Sequence, residues 1–175
     1  MTSQHAESGL PRLEINVAGG EGSGPTKLAA FDSALRNVGV ANYNLLRLSS
    51  VIPPHSELTV VPRLTPPGQW GDRLYVVAAE WRTDEPGTEA WAGIGWIQDP
   101  ELGRGLFVEH EGGSEAQLKS DIESTLGAMR EGRGAAGNRL GEVEMVTHGV
   151  LCTDEPVCAL VVAVFASESW HHIVG

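Results

Sequence analysis

Asn44-Leu45-Leu46-Arg47-Leu48-Ser49-Ser50-Val51-Ile52-Pro53-Pro54 is an apolar run that carries two adjacent serines and stops at a proline pair. It predicts a strand over residues 42–52, ended by the prolines because proline has no N–H to give a ladder. Two neighbouring hydroxyls gain nothing for packing in such a strand. They do set the oxygen of one serine beside the peptide carbonyl of the other, which is what a chain needs to attack its own backbone. The Ser50 hydroxyl can attack the Ser49 carbonyl, exchanging amide for ester. β-Elimination then releases a chain ending at Ser49 and leaves dehydroalanine at position 50. Hydrolysis turns that residue into a pyruvoyl group, a ketone that can serve as an electron sink for an amine substrate. Loss of CO2 from an amino acid is the reaction such a ketone suits best. A serine pair alone is most often an ordinary strand or turn, so its surroundings decide.

Upstream, Leu13-Glu14-Ile15-Asn16-Val17 alternates as a half-buried strand does. Ala18-Gly19-Gly20-Glu21-Gly22-Ser23-Gly24-Pro25 reads as a glycine-rich loop, and Thr26 can cap the helix after it. In that helix Leu28, Phe31, Leu35 and Val38 fall at helical spacing, and Gly39 closes it. Downstream, strands are expected at 58–62, 73–81, 90–97 and 105–109, with Asp84-Glu85-Pro86-Gly87 as a turn. Ser114-Glu115-Ala116-Gln117 is a capping box opening a second helix with a Leu118, Ile122, Leu126 and Met129 stripe. Gly132, Gly134 and Gly137 end it, and late strands follow at 141–151 and 157–165. The expected total is roughly eight strands, mostly antiparallel by their short connections, with two helices each covering a sheet face: a layered α+β fold. Residues 1–12 read as a flexible N-terminus, 13–167 as one domain, and 168–175 as a tail.

The 175 residues suffice for one domain with a full core. A hydrophobic share of 41% beside 20% charged residues fits a soluble globular protein. The formal net charge of −11 argues against binding a nucleic-acid backbone. Two cysteines, Cys152 and Cys158, are too few for a disulfide scaffold and lack zinc-ligand spacing. They are expected to be reduced and buried in a cytoplasmic protein. No apolar stretch reaches membrane-spanning length, and Met1 to Glu7 shows no signal-peptide pattern.

Three stretches carry a family resemblance: Pro25 to Leu35 (Pro-Thr-Lys-Leu-Ala-Ala-Phe-Asp-Ser-Ala-Leu), Asn42 to Pro54, and Gly105 to Gly112 (Gly-Leu-Phe-Val-Glu-His-Glu-Gly). In these the sequence resembles the pyruvoyl-dependent arginine decarboxylases, in the family's order and near its spacing, with the likeness extending over residues 13–167. The resemblance implies conversion of L-arginine to agmatine and CO2 after self-cleavage between Ser49 and Ser50. Ser49 would end a small β chain, and Ser50 would become the pyruvoyl group of a larger α chain, with no metal and no pyridoxal phosphate. Asn44 would position the scissile bond and later a carbonyl oxygen, since its amide can donate to an oxyanion. Glu109 would be the catalytic carboxyl that returns a proton to the substrate's α-carbon. Asp32 would meet the guanidinium as a bidentate partner; otherwise it is a solvent-facing helix residue paired with Arg36. Leu28, Leu35, Ala41 and Tyr43 would line the same pocket. Ala41 and Tyr43 depart from the glycine and small apolar residue expected there, so substrate identity is less constrained than reaction type. The fold implied is a four-layer αββα sandwich of the pyruvoyl-dependent histidine and arginine decarboxylase kind. Its assembly would be a trimer or dimer of trimers, with Asp32 and Ser50 of one site coming from different chains.

Other readings compete. Gly19 to Lys27 has the order of a phosphate loop, but Pro25-Thr26-Lys27 displaces the lysine and removes an amide donor, so a flexible strand-to-helix connection is the better account. His110, His148, His171 and His172 are too scattered to suggest a metal, and Trp70, Trp81, Trp91, Trp96 and Trp170 suit cores and subunit contacts. A decarboxylase of another amino acid, or a non-processing homologue acting as a binding or regulatory subunit, remain as alternatives.

Overall fold

A computed structural model describes residues 11–172; most of the 1–12 segment and the end of the C-terminal tail lie outside them. In chain order the elements are β1 (Leu13–Ser23), α1 (Lys27–Val38), β2 (Asn44–Arg47), β3 (Val51–Ile52), β4 (Ser56–Val60), β5 (Arg73–Thr83), β6 (Glu89–Gln98), β7 (Gly105–Gly112), α2 (Glu115–Glu131), α3 (Gly134–Gly137), β8 (Glu144–Leu151) and β9 (Val157–Glu168). A 3-10 turn over Trp170–His172 closes the described chain. The strands make two sheets, one ordered β2-β5-β9-β1-β4 and the other β3-β7-β6-β8.

The core divides by which faces meet. Ile15, Val17, Val77 and Val161 of the first sheet share one apolar cluster with Ala92, Ile94, Trp96 and Phe107 of the second. Trp96 and Phe165 both meet Phe107 edge-on, at ring distances of 6.2 and 5.9 Å. The first sheet's other face, through Ala18, Val76, Leu160 and Val162, packs on Ala30, Ala34 and Val38 of α1. The second sheet's other face, through Ile97, Leu106 and Val108, packs on Leu118, Ile122 and Leu126 of α2. β9 is buried along most of its length because β1 and β5 flank it and both faces are covered.

Most expected elements are present, with instructive exceptions. The glycine run is not a loop: β1 continues to Ser23, paired with β9 as far as Ser23↔Val157. The glycines are there for helix contact. A Cβ at Gly22 would lie 2.5 Å from the Ala30 carbonyl and strike the Ala34 N–H, so only glycine lets α1 approach β1 so closely. The stripe expected on α1 is rotated for the same reason. Ala30, Ala34 and Val38 face the sheet, Phe31 and Leu35 are half-buried, and Leu28 is 68% exposed. Thr26 caps α1 by accepting from the Ala29 N–H at 3.1 Å, and Gly39 ends it at φ 101°. Only half of the capping box on α2 forms: Ser114 accepts from the Gln117 N–H, while the Gln117 side chain donates to Asp121. Two pairings are parallel, β1 with β4 and β2 with β5. Both cysteines are buried and free, and burial, helped by the Glu80 charge, pushes the Cys158 thiol up to about 12. Of the tryptophans, Trp96 alone is buried; Trp70, Trp81 and Trp170 are exposed.

The serine stretch departs most. A single strand over 42–52 does not form. β2 ends at Arg47, β3 begins at Val51, and the chain between them leaves one sheet for the other.

Candidate active site

The crossover can be followed bond by bond. Leu48 still belongs to the first sheet, its N–H donating to the Val76 carbonyl at 2.8 Å. Ser50 already belongs to the second, its carbonyl accepting from the Phe107 N–H at 2.9 Å, and Val51 then pairs with Leu106 on β7. The Ser49–Ser50 peptide bond therefore spans the gap between the sheets. Ser50 takes up the change of direction with φ 65°, in the left-handed region that a residue with a Cβ enters at a cost of about 1–2 kcal/mol.

Glu109 follows Phe107 by two residues on β7, so both side chains leave the same face, the one turned toward the first sheet. That brings its carboxylate to the crossover. The Ser50 Oγ lies 2.7 Å from Glu109 Oε1 and 2.7 Å from Oε2. Both residues are half-buried. A serine hydroxyl held at hydrogen-bonding distance from a carboxylate, on a strained backbone, is a nucleophile with a base in place.

The other expected site residues lie elsewhere on the single chain. Asn44 opens β2; its amide donates to the Gly71 carbonyl at 2.6 Å and is not bonded to either serine. Asp32 sits exposed on α1 and pairs with Arg36 at 3.2 Å. Leu28, on the preceding turn of α1, presents its apolar side chain to solvent, and Leu35 is half-buried. Tyr43 donates its hydroxyl to the Pro66 carbonyl at 2.8 Å, and its pKa is raised by burial and then by the nearby Asp72 charge. Ala41 and Tyr43 line a surface cavity together with Arg36, Arg63 and Trp70. The structure thus joins Ser50 to Glu109, and groups Asp32, Arg36, Ala41 and Tyr43 around α1.

His110 bonds Thr125 at 2.9 Å and His148 bonds Glu21 at 2.7 Å, ordinary polar partners for scattered histidines. A residue the sequence reading passed over is Arg47. Its Nη1 donates to the Ala78 carbonyl at 2.8 Å, and Nη2 lies 3.5 Å from Glu80. Its signal was a lone cation inside the run Leu45 to Leu48.

The family model for pyruvoyl-dependent arginine decarboxylase matches residues 14–170. The chain belongs to this family. Among curated pyruvoyl-dependent arginine decarboxylases, that of Pyrococcus furiosus is 35% identical over 157 residues, covering 88% of this chain and 94% of the relative. The Pyrococcus abyssi protein is 34% identical over 156 residues with the same coverage. The Halobacterium salinarum protein is 47% identical over 103 residues, a match spanning 57% of this chain and 60% of the relative. Membership in this family implies a pyruvoyl cofactor. No helix of the described residues is long and apolar enough to cross a membrane.

Proposed function

We propose that this chain is the precursor of a self-processing, pyruvoyl-dependent decarboxylase that converts L-arginine to agmatine and CO2. The observation that carries this reading is the Ser50 hydroxyl held 2.7 Å from both oxygens of Glu109. Glu109 takes the hydroxyl proton as Oγ attacks the Ser49 carbonyl carbon; the C–N bond breaks, the nitrogen of residue 50 gains a proton, and an ester remains. Loss of the residue 50 α-proton then expels Ser49 as a free carboxylate and leaves dehydroalanine. Water adds, ammonia departs, and a pyruvoyl group heads the α chain.

The surroundings fit that group, because the atoms that become it already lie against the carboxylate the chemistry needs. Its carbonyl supplies the electron sink for loss of CO2 from an amino acid. Glu109 stays beside that position and hands a proton to the substrate's α-carbon once CO2 has left. Asp32 receives the guanidinium in place of Arg36, with Leu28, Leu35, Ala41 and Tyr43 around it, and Asn44 donates to a carbonyl oxygen. Asp32 and Leu28 are exposed on α1, which covers the outer face of the first sheet, whereas Ser50 and Glu109 lie on its inner side; this supports a site completed between subunits of a trimer or dimer of trimers. A four-layer αββα sandwich and a cytoplasmic location belong to the same proposal. The helix-to-sheet clusters support the first; two buried free thiols support the second.

A mass spectrum of the purified chain tests the reading. Two fragments split between Ser49 and Ser50 are expected, a Ser50→Ala variant should stay whole and inactive, and arginine should lead a panel of amino acids in CO2 release. An intact chain under all conditions, resistant to borohydride with substrate, refutes it. Two observations favour a second reading, decarboxylation of another amino acid: Asp32 already pairs with Arg36, and the large Tyr43 lines the neighbouring cavity.

A further inference from the structure

β2 leaves β5 at a fixed point, and a side chain marks it. The parallel pairing runs from Asn44↔Arg73 to Arg47↔Val76. Its hydrogen bonds advance by two residues per step, with the Asn44 N–H on the Asp72 carbonyl and the Leu48 N–H on the Val76 carbonyl. The next step would put the Ser50 N–H on the Ala78 carbonyl. That acceptor is taken: Arg47 Nη1 donates to it at 2.8 Å. Arg47 Nη2 faces Glu80 Oε2 at 3.5 Å, and Glu80 is anchored on its other oxygen by Arg82 at 2.6 Å. Oε2 of Glu80 is buried and has no hydrogen-bond partner among the described residues, so Arg47 is the cation that faces it.

We propose that Arg47 is a positioning residue for self-cleavage: its guanidinium fills the place in the β5 ladder that the Ser50 N–H would occupy. With that place filled, extending β2 to Ser50 would require the guanidinium to give way. The chain turns off, Ser50 adopts its left-handed φ, and its carbonyl bonds Phe107 on the second sheet instead. The hydroxyl thereby reaches Glu109, and the amide to be broken stays out of a ladder that would hold its nitrogen. Arg47 touches none of the reacting atoms in this arrangement; it fixes where they are. The role rests on the self-cleavage proposed above.

The test compares full-length Arg47→Met, which keeps the alkyl stem and loses the donors, with Arg47→Lys. Fragment appearance in freshly folded protein should slow by about tenfold or more in Arg47→Met, since sub-ångström misplacement is costly to an intramolecular attack. Arg47→Lys should recover most of the rate, because an ammonium can still donate to Ala78. In an uncleavable Ser50→Ala background, adding Arg47→Met should raise hydrogen exchange at the Phe107 amide about tenfold, as residues 49–50 join Leu48 on β5. Exchange along the β1–β9 ladder should not change. Wild-type cleavage rate in a folded Arg47→Met chain, or unaltered Phe107 exchange in the uncleavable pair, overturns the proposal. Should the wild-type chain never cleave, the proposed function fails, and the exchange comparison still decides the part played by Arg47.

Discussion

Ser50 and His55 are the non-glycine residues of the described chain with positive φ. They bracket the passage of the chain across the second sheet's edge. Strain of about 1–3 kcal/mol at one residue persists only where neighbours over-determine it. For Ser50 the neighbours are the Phe107 N–H on its carbonyl and Glu109 on its hydroxyl. In the proposed cleavage, breaking the bond to Ser49 would free position 50 from that constraint, so the contacts that hold the strain would also aim the nucleophile. Glu109→Gln tests the proton-transfer half of this. The amide keeps the size and can still accept one hydrogen bond, but it cannot take a proton. Fragment formation should slow by roughly a hundredfold, the lower end of general-base contributions, in a time course read by mass spectrometry. Cleavage of this variant at the wild-type rate would remove Glu109 from the cleavage step.

At the scale of elements, close packing on glycine sets the positions of the helices. α1 rests on Gly22 of β1, and α2 rests on β6, where a Cβ at Gly95 would collide with Ile122. Gly22→Ala puts a methyl group against helix backbone, which cannot rotate away as a side-chain tip can. The cost should be about 2–3 kcal/mol, a fall of roughly 4–12 °C in melting midpoint for a chain of this length. Gly112→Ala, with open space around it, should change stability by less than about 0.5 kcal/mol. Asp99 makes a different kind of fastening. It is 1% exposed, accepts the Glu101 and Leu102 N–H groups after β6, and binds Arg139 at 3.0 Å ahead of β8. Burial alone would raise its pKa, but the Arg139 guanidinium and the two N–H groups together hold it below the usual aspartate value. A depressed folded pKa stabilises the chain above the unfolded value, and that contribution is lost as pH falls through the folded value. Asp99→Asn should therefore lower the urea midpoint near neutrality, with the gap to the wild type closing below about pH 4. These packing devices explain what the sequence could show. Apolar periodicity and caps made α2, β5, β6 and β9 legible. The glycine run misled because its residues serve a helix across the sheet. Leu28 misled because its apolar side chain faces solvent while the small Ala30 and Ala34 make the contact. The break at Leu48–Ser50 was hidden because apolar residues on both sides of the serine pair continue a strand pattern, with Arg47 as an interruption before it.

At the scale of the molecule, the two halves of the expected site lie on different faces. Ser50 and Glu109 sit between the sheets at the edge where β3 meets β7. Asp32 and the exposed Leu28 ride on α1, which covers the outer face of the first sheet. Asp32 and Glu109 were legible as candidates because each sits in a stretch that resembles the family. Their placement on different chains was an expectation of the family resemblance alone, since a strand-and-helix pattern carries no information about which face meets a second copy. A site shared between subunits makes a prediction that a site within one chain does not. Asp32→Ala alone should still self-cleave but lose arginine turnover, while Ser50→Ala alone should stay whole and inactive. Refolded together in equal amounts, the two should regain activity, because some interfaces pair the intact Ser50 of one chain with the intact Asp32 of its neighbour. Random assortment in a closed ring gives about a quarter of the wild-type sites. Arginine-dependent CO2 release from the mixture, set against each variant refolded alone, measures this directly. A mixture no more active than its parts would mean that Asp32 and Ser50 of the same chain must serve one site, and the shared-site arrangement would have to be abandoned.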